Sequence, residues 1–277
     1  MAATNPPGEL PRVLVTGGAG YIGSHVCKAL ARGGNLPVTY DNMRSGHNWA
    51  MNWGPLEQGD VLDTARLYEV LCRHRPVAVM HFAAHIDPAE SVADPDKYFR
   101  NNVDGSASLL QALRQAGLKR LVFSSTAAVY GIPQSVPIAE DHPLVPISPY
   151  DESKLKVERL ILEEAAIHAL KVVILRYFNA AGADYRSGIG ESHEPETHLI
   201  PRLLSAASDQ SAGIVVNGTD YPTPDGTCIR DYIHVSDRQR RVCSRRSGCS
   251  AKAKPGSSIS GAARALPCGR SPRRWRV

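Results

Sequence analysis

The chain has 277 residues, 43% hydrophobic and 21% charged, with a formal net charge of +5, which supplies core for one large domain or a large one with a small companion. No stretch reads as a membrane segment, and residues 1–10 are polar and proline-containing without the apolar run of a signal peptide. Six cysteines, at 27, 72, 228, 243, 249 and 268, show no paired spacing, so a cytoplasmic protein with reduced thiols, without disulfides or a metal site, is expected.

In chain order, residues 12–16 (RVLVT) read as a short buried strand. It runs straight into Gly17-Gly18-Ala19-Gly20-Tyr21-Ile22-Gly23, and Val26, Ala29 and Leu30 then predict a helix over 22–32. Glycines at 17, 20 and 23 supply a tight turn, close backbone approach to a pyrophosphate and helix-to-strand contact, with the phosphates at the helix N-terminus. A second strand, 37–40, ends in Asp41, eighteen residues after Gly23. A carboxylate there accepts hydrogen bonds from a ribose diol and repels a 2′-phosphate, which predicts NAD rather than NADP, with Arg44 as the opposing feature. Gly59-Asp60-Val61 closes a third strand; a helix follows near 64–74, a strand over 77–83, and a helix near 97–116.

The next strand, 120–125, leads into Thr126-Ala127-Ala128-Val129-Tyr130-Gly131, and a helix near 150–169 opens on Tyr150-x-x-x-Lys154. Residues four apart share a helix face, so the ammonium can sit beside the phenol, lower its pKa and make Tyr150 a base near neutral pH. The Thr126 hydroxyl can bind the same substrate oxygen. A last strand, 172–176, completes the alternation, which predicts an α/β fold: a doubly wound parallel sheet of Rossmann type over 11–177. From Phe178 to residue 237 the rhythm changes to loops rich in Gly, Pro and His, as expected of a smaller, incomplete C-terminal substrate cap.

Residues 238–277 differ again. They hold ten Arg and two Lys with no Asp or Glu, so this tail is +12 and the body −7. A nucleic-acid-binding arm and a disordered basic segment are two readings of such a run. It lacks periodicity and, apart from Trp275, aromatics. Its Arg, Ser, Gly, Ala, Pro and Cys are what GC-rich DNA yields when translated out of frame, which is the preferred reading, and no nucleic-acid partner is expected.

Residues 12–237 closely resemble the UDP-glucose 4-epimerase family of extended short-chain dehydrogenases/reductases, through VLVTGGAGYIGSHV, YDN, HFAA, ESV, NNVDGS, FSSTAAVYG, SPYDESKL, LRYFNAAGA, ETHLIPRLL and DYPTPDGTCIRDYIHVSD. The resemblance implies transient oxidation at C4 of UDP-glucose or UDP-galactose through a 4-keto sugar, with NAD as cofactor, Tyr150 taking the 4-hydroxyl proton, Thr126 orienting that hydroxyl and Lys154 holding the nicotinamide ribose. It places Gly17, Gly20, Tyr21, Ile22, Gly23, Asp41, Asn42, Ser124 and Tyr177 on the cofactor. Asp60 and Val61 bracket the adenine, and Phe82, Ala83 and Asn101 line the cofactor. Phe178, Asn179, His198, Leu199, Asn217 and Arg230 fall to the substrate, Arg230 as a diphosphate fork. A homodimer is implied for the intact family.

After HVSD that family continues with a helix and a Phe-Asn-Leu-Gly strand. Read one base earlier, the codons of residues 257–261 can encode Phe-Asn-Leu-Gly, those of 261–271 permit Ser-Gly-x-Gly-x-Ser-Val-Arg-Glu-Val, and those of 238–245 permit Leu-Ala-x-Ala-x-Val-Leu-Ala. A one-base deletion near codon 237 is the reading that follows.

Departures from the pattern are Asp151 where the family usually has Gly, Pro88-Ala89 for Val-Gly, and Asn217 where an apolar or aromatic residue commonly meets the uracil. Asp151 suits a helix N-terminus, yet its charge beside Tyr150 should raise the phenol's pKa. Among alternatives, a sugar-nucleotide 4,6-dehydratase would need an acid where Ala127 and Ala128 stand. A simple dehydrogenase would release reduced cofactor, and a catalytically impaired NAD-binding remnant would keep the loop but lack the cap.

Overall fold

The computed structural model describes residues 9–209, 213–216, 218–237 and 265–267. Seven parallel strands form one sheet: β1 (Arg12–Thr16), β2 (Leu36–Asp41), β3 (Leu56–Gln58), β4 (Ala78–His81), β5 (Arg120–Thr126), β6 (Lys171–Tyr177) and β9 (Ala265–Pro267), in the order β3-β2-β1-β4-β5-β6-β9. The helices between them are α1 (Tyr21–Arg32), α2 (Thr64–His74), α3 (Pro88–Ala93), α4 (Pro95–Tyr98), α5 (Gly105–Gln115) and α6 (Pro149–His168). A parallel sheet needs crossovers, and crossover helices bury both of its faces, so its strands read as unbroken apolar runs. Leu14, Val38, Val79, Leu121 and Phe123 pack on one face with Leu67 and Ile161, while Val13, Val15, Met80 and Val122 pack on the other with Val26 and Leu30.

Strand order reverses direction on either side of β1, and a crevice opens at the carboxyl ends of the strands at such a point. The register brings those ends level: Thr16 lies between Tyr40 and His81, and Thr126 lies beside Tyr177. Beyond the sheet, β7 (Asn179–Ala181) pairs in parallel with β8 (Tyr232–His234), and α7 (Leu199–Ser208) lies between them in sequence. Tyr21 on α1 donates to the Gly182 carbonyl at 2.6 Å, and buried Lys28 ion-pairs with Asp184, tying this second unit to the first.

Three differences from the sequence reading have local causes. The helix expected over 97–116 is three pieces, α4, a π-helical turn at Phe99–Asp104, and α5; apolar spacing does not register the extra residue that a π turn inserts. The short α3 sits where no helix was expected, opened by Pro88 at its first position and capped by the Asp87 side chain, which accepts from the Ala89 and Glu90 backbones. Of the basic tail only Ala265–Pro267 is described, and these residues pair with Ile174–Arg176 at the sheet edge, a strand that the disordered, out-of-frame reading did not foresee.

Candidate active site

The glycine loop is built for contact. Gly17 has φ +70°, and a Cβ there would fall 2.6 Å from the Ala83 nitrogen; at Gly23 it would fall 2.0 Å from the Gly17 oxygen. Gly20 differs, since its Cβ would meet only Gly17 O at 3.4 Å, so its surface is open to a ligand. Gly20 caps α1 without a side-chain hydrogen bond, and the first N–H groups of α1 are the donors that a helix N-terminus offers an anion. The buried Asp41 carboxylate at the end of β2 accepts from the Ala19 and Met43 backbones at 3.0 and 2.9 Å. Asp60 accepts from Asn42 Nδ2 and from the Leu62 backbone, both at 3.0 Å. Burial would raise the Asp60 carboxyl, but these bonds and the Arg44 charge hold it below its usual value. Val61 is buried against Gly105, and the backbone of partly buried Ala83 lies against Gly17. The loop thus fits a pyrophosphate and Asp41 a ribose.

Tyr150 stands in the first turn of α6, whose N-cap is Ser148. Ser148 accepts from the Asp151 backbone at 3.2 Å, and the Ser148 and Ile147 groups beside the Asp151 carboxyl favour its charged form. Burial raises the Asp151 carboxyl in spite of those groups, and its Oδ1 has no hydrogen-bond partner. One turn on, Lys154 is buried, donates to the Ser124 carbonyl at 3.0 Å, and lies 5.1 Å from the Phe123 ring centroid and 6.0 Å from that of Tyr150. Desolvation, opposed only by the Glu158 charge, lowers its pKa to about 8. Thr126 ends β5 and accepts from the Ala128 backbone at 3.1 Å, which fixes its rotamer while its hydroxyl proton remains for another acceptor. Phe178 packs on the Ala127–Tyr130 turn together with Leu155 of α6.

Several supporting residues escaped the sequence reading although their motifs contain them. Ser91 accepts from the Tyr150 backbone at 3.1 Å, and Ser153 donates to the Tyr150 carbonyl at 2.7 Å. Asn102, buried in the π turn, donates to Ser153 and to the His85 carbonyl, each at 3.1 Å, and accepts from the His85 backbone and from Asn101, so Asn101 acts on its neighbour. His81, held by Thr16 and Ser106, is kept neutral by burial and by Lys154, with its pKa near 3. Beneath the site, Glu158 takes a two-pronged contact from Arg176 and a bond from Ser125, while Arg176 also donates to Tyr130.

The cap residues are less gathered. Asn179 donates through its side chain to the Asp231 carbonyl at 3.0 Å, and exposed Arg230 reaches its neighbour's carbonyl at 3.2 Å with no ion pair among the described residues. Leu199 opens α7 and His198 caps it. Asn217 lies outside the described residues. Close to His198 the structure brings together Glu191, His193 and Glu196, a cluster the sequence reading, with no metal expected, passed over. Its signal is the E-x-H repeat at 191–193 and 196–198.

A doubly wound sheet carrying a dinucleotide loop and a Tyr-Lys helix defines a nucleotide-dependent oxidoreductase-like enzyme. The profile of the NAD dependent epimerase/dehydratase family matches residues 13–242, and the chain belongs to that family. It is 54% identical over 225 residues to UDP-glucose 4-epimerase of Rhizobium leguminosarum bv. trifolii, covering 81% of this chain and 69% of that one. Identity to UDP-glucose 4-epimerase of Lacticaseibacillus casei is 47% over 226 residues, covering 81% and 68%. The crystal structure of UDP-glucose 4-epimerase from Brucella ovis in complex with NAD superposes with a TM-score of 0.86 at 47% identity, covering 94% of this chain and 77% of that one. That from Bifidobacterium longum, in complex with NAD+ and UDP, gives 0.84 at 32% identity over 93% and 78%. Among the described residues no helix is long and apolar enough to cross a membrane.

Proposed function

We propose that this chain interconverts UDP-glucose and UDP-galactose, with Tyr150, Lys154 and Thr126 carrying the proton chemistry. The observation that carries the reading is the Tyr150–Lys154 pair beside the end of β5, on a fold whose glycine loop and Asp41 fit NAD. NAD, held by the glycine loop and Asp41, would supply reversible hydride acceptance for C4 of the sugar. Tyr150 takes the 4-hydroxyl proton, and the Lys154 ammonium favours its phenolate. Thr126 positions the same oxygen. His81, neutral and fully buried, adds no competing charge. Gly17, Gly20, Tyr21, Ile22, Gly23, Asp41, Asn42, Asp60, Val61, Phe82, Ala83, Asn101, Ser124 and Tyr177 serve the cofactor, and Phe178, Asn179, His198, Leu199, Asn217 and Arg230 the UDP-sugar. On the same reading, residues 238–277 arise from a shifted frame, and the protein works in the cytoplasm, as a homodimer where the natural C-terminal region is present.

The test is conversion of UDP-galactose in the presence of NAD⁺, followed by a coupled assay for UDP-glucose. Product should form without net NADH. Tyr150→Phe should still bind NAD⁺ and lose at least about 10²-fold in kcat, the lower bound for loss of a positioned proton acceptor. Stoichiometric NADH would instead mark a simple dehydrogenase, and unchanged turnover in the variant would place the base elsewhere.

A further inference from the structure

Glu191, His193, Glu196 and His198 each offer one donor atom, all within 4.8 Å of one another. Glu191 Oε1 lies 2.9 Å from His198 Nδ1 and 3.4 Å from His193 Nδ1, while Glu196 places Oε1 3.3 Å from His198 Nδ1 and Oε2 3.8 Å from His193 Nδ1. Both Nδ1 atoms are buried, yet neither has the alignment of a hydrogen bond to those oxygens. Donors on a tetrahedral ion with arms of about 2.0–2.2 Å stand roughly 3.3–3.6 Å apart, and the His–Glu contacts here, from 2.9 to 3.8 Å, lie on either side of that range. Two neutral imidazoles and two carboxylates balance a divalent charge, and a mixed nitrogen and oxygen set suits zinc better than calcium or magnesium.

The segment is also held in place from outside. His47 Nε2 contacts the Ser192 carbonyl at 2.8 Å, Asp184 takes the Lys28 ion pair, and Asp184 bridges to Ile189. The Glu191 side chain is only 8% exposed. We propose that these four residues form a site for one zinc-class divalent cation, which staples the 191–198 segment to the start of α7. The site is structural and uses none of Tyr150, Lys154 and Thr126. Ligation through Nδ1 leaves Nε2 of His198 for the nucleotide.

The full chain, stripped with chelator and titrated with Zn²⁺, should bind about one ion at this site. The double variant His193→Ala, Glu196→Gln should lose zinc affinity by more than the roughly 100-fold that even an outer partner of a metal ligand can cost. NAD⁺ binding, measured on the same preparations, should be unchanged, which separates loss of the site from loss of the fold. Co²⁺ in the wild type should give tetrahedral d–d bands without a thiolate charge-transfer band. Equal zinc affinity in wild type and variant, no binding to the wild type, or a thiolate band assigning the ion to cysteines would each overturn the site.

Discussion

At Gly20 the absence of a side chain matters for a different reason than at Gly17 or Gly23. The latter two are closed by protein atoms, with an added Cβ at 2.6 and 2.0 Å from backbone, so alanine must distort the loop itself. At Gly20 the nearest atom would be 3.4 Å away, an ordinary contact, and only a ligand would object. Gly20→Ala should therefore melt within about 1 kcal/mol of wild type, as an unstrained exchange at a helix start does, while NAD⁺ affinity by calorimetry falls at least tenfold. Gly23→Ala should lose both stability and binding. Equal NAD⁺ affinity in Gly20→Ala would place the pyrophosphate away from this loop.

Between elements, Lys154 joins α6 to β5 through the Ser124 carbonyl, and its ammonium is 4% exposed. With the folded pKa lowered to about 8 and the unfolded one at about 10.4, the unfolded chain binds more protons throughout that interval. Stability contributed here is lost as pH falls through 8 and recovered as pH rises towards 10.4. Lys154→Met removes the titration, so wild type should gain roughly 2–3 kcal/mol relative to the variant between pH 7 and 10.5. Urea melts across that range check it; a flat difference would mean that the ammonium is solvated.

The same elements show what could be read in advance. Residues 12–16, 37–40 and 120–125 announced β1, β2 and β5 because buried parallel strands have no polar face, and the glycine loop and Tyr150–Lys154 followed from local spacing. Asn102, Ser91 and Ser153 were not legible as supports, because each acts on a segment distant in sequence or on backbone. No helix was expected over α7, which carries Pro201 in its first turn, where no N–H is needed.

At the scale of the whole molecule, Lys28 and Asp184 are, among the described residues, a buried ionic link from the dinucleotide unit to the second unit, with side chains 4% and 16% exposed. Asp184→Asn strands a buried ammonium and should cost about 3–5 kcal/mol, whereas Lys28→Met, which leaves the less buried partner, should cost less. Chemical denaturation orders the two. The reverse order would mean that the link is a solvated surface pair.

Further along, the sheet's last neighbour to β6 is only the three residues of β9. An edge that short leaves Lys171, Val172 and Val173 of β6 with no partner there among the described pairings, and open parallel edges invite association between chains. If residues 238–277 are translated one base out of frame, restoring a base near codon 237 replaces a +12 segment with one carrying Phe-Asn-Leu-Gly, whose apolar residues can cover that edge. The restored protein should melt higher, aggregate less and turn over UDP-galactose faster than the chain as given, at rates of about 1–10³ s⁻¹. NAD⁺ binding should be common to both, because Gly17, Gly20, Gly23, Asp41 and Lys154 all precede the change. Equal melting temperature and equal turnover in the two proteins would show that residues 238–277 already serve the fold, and would end the out-of-frame reading.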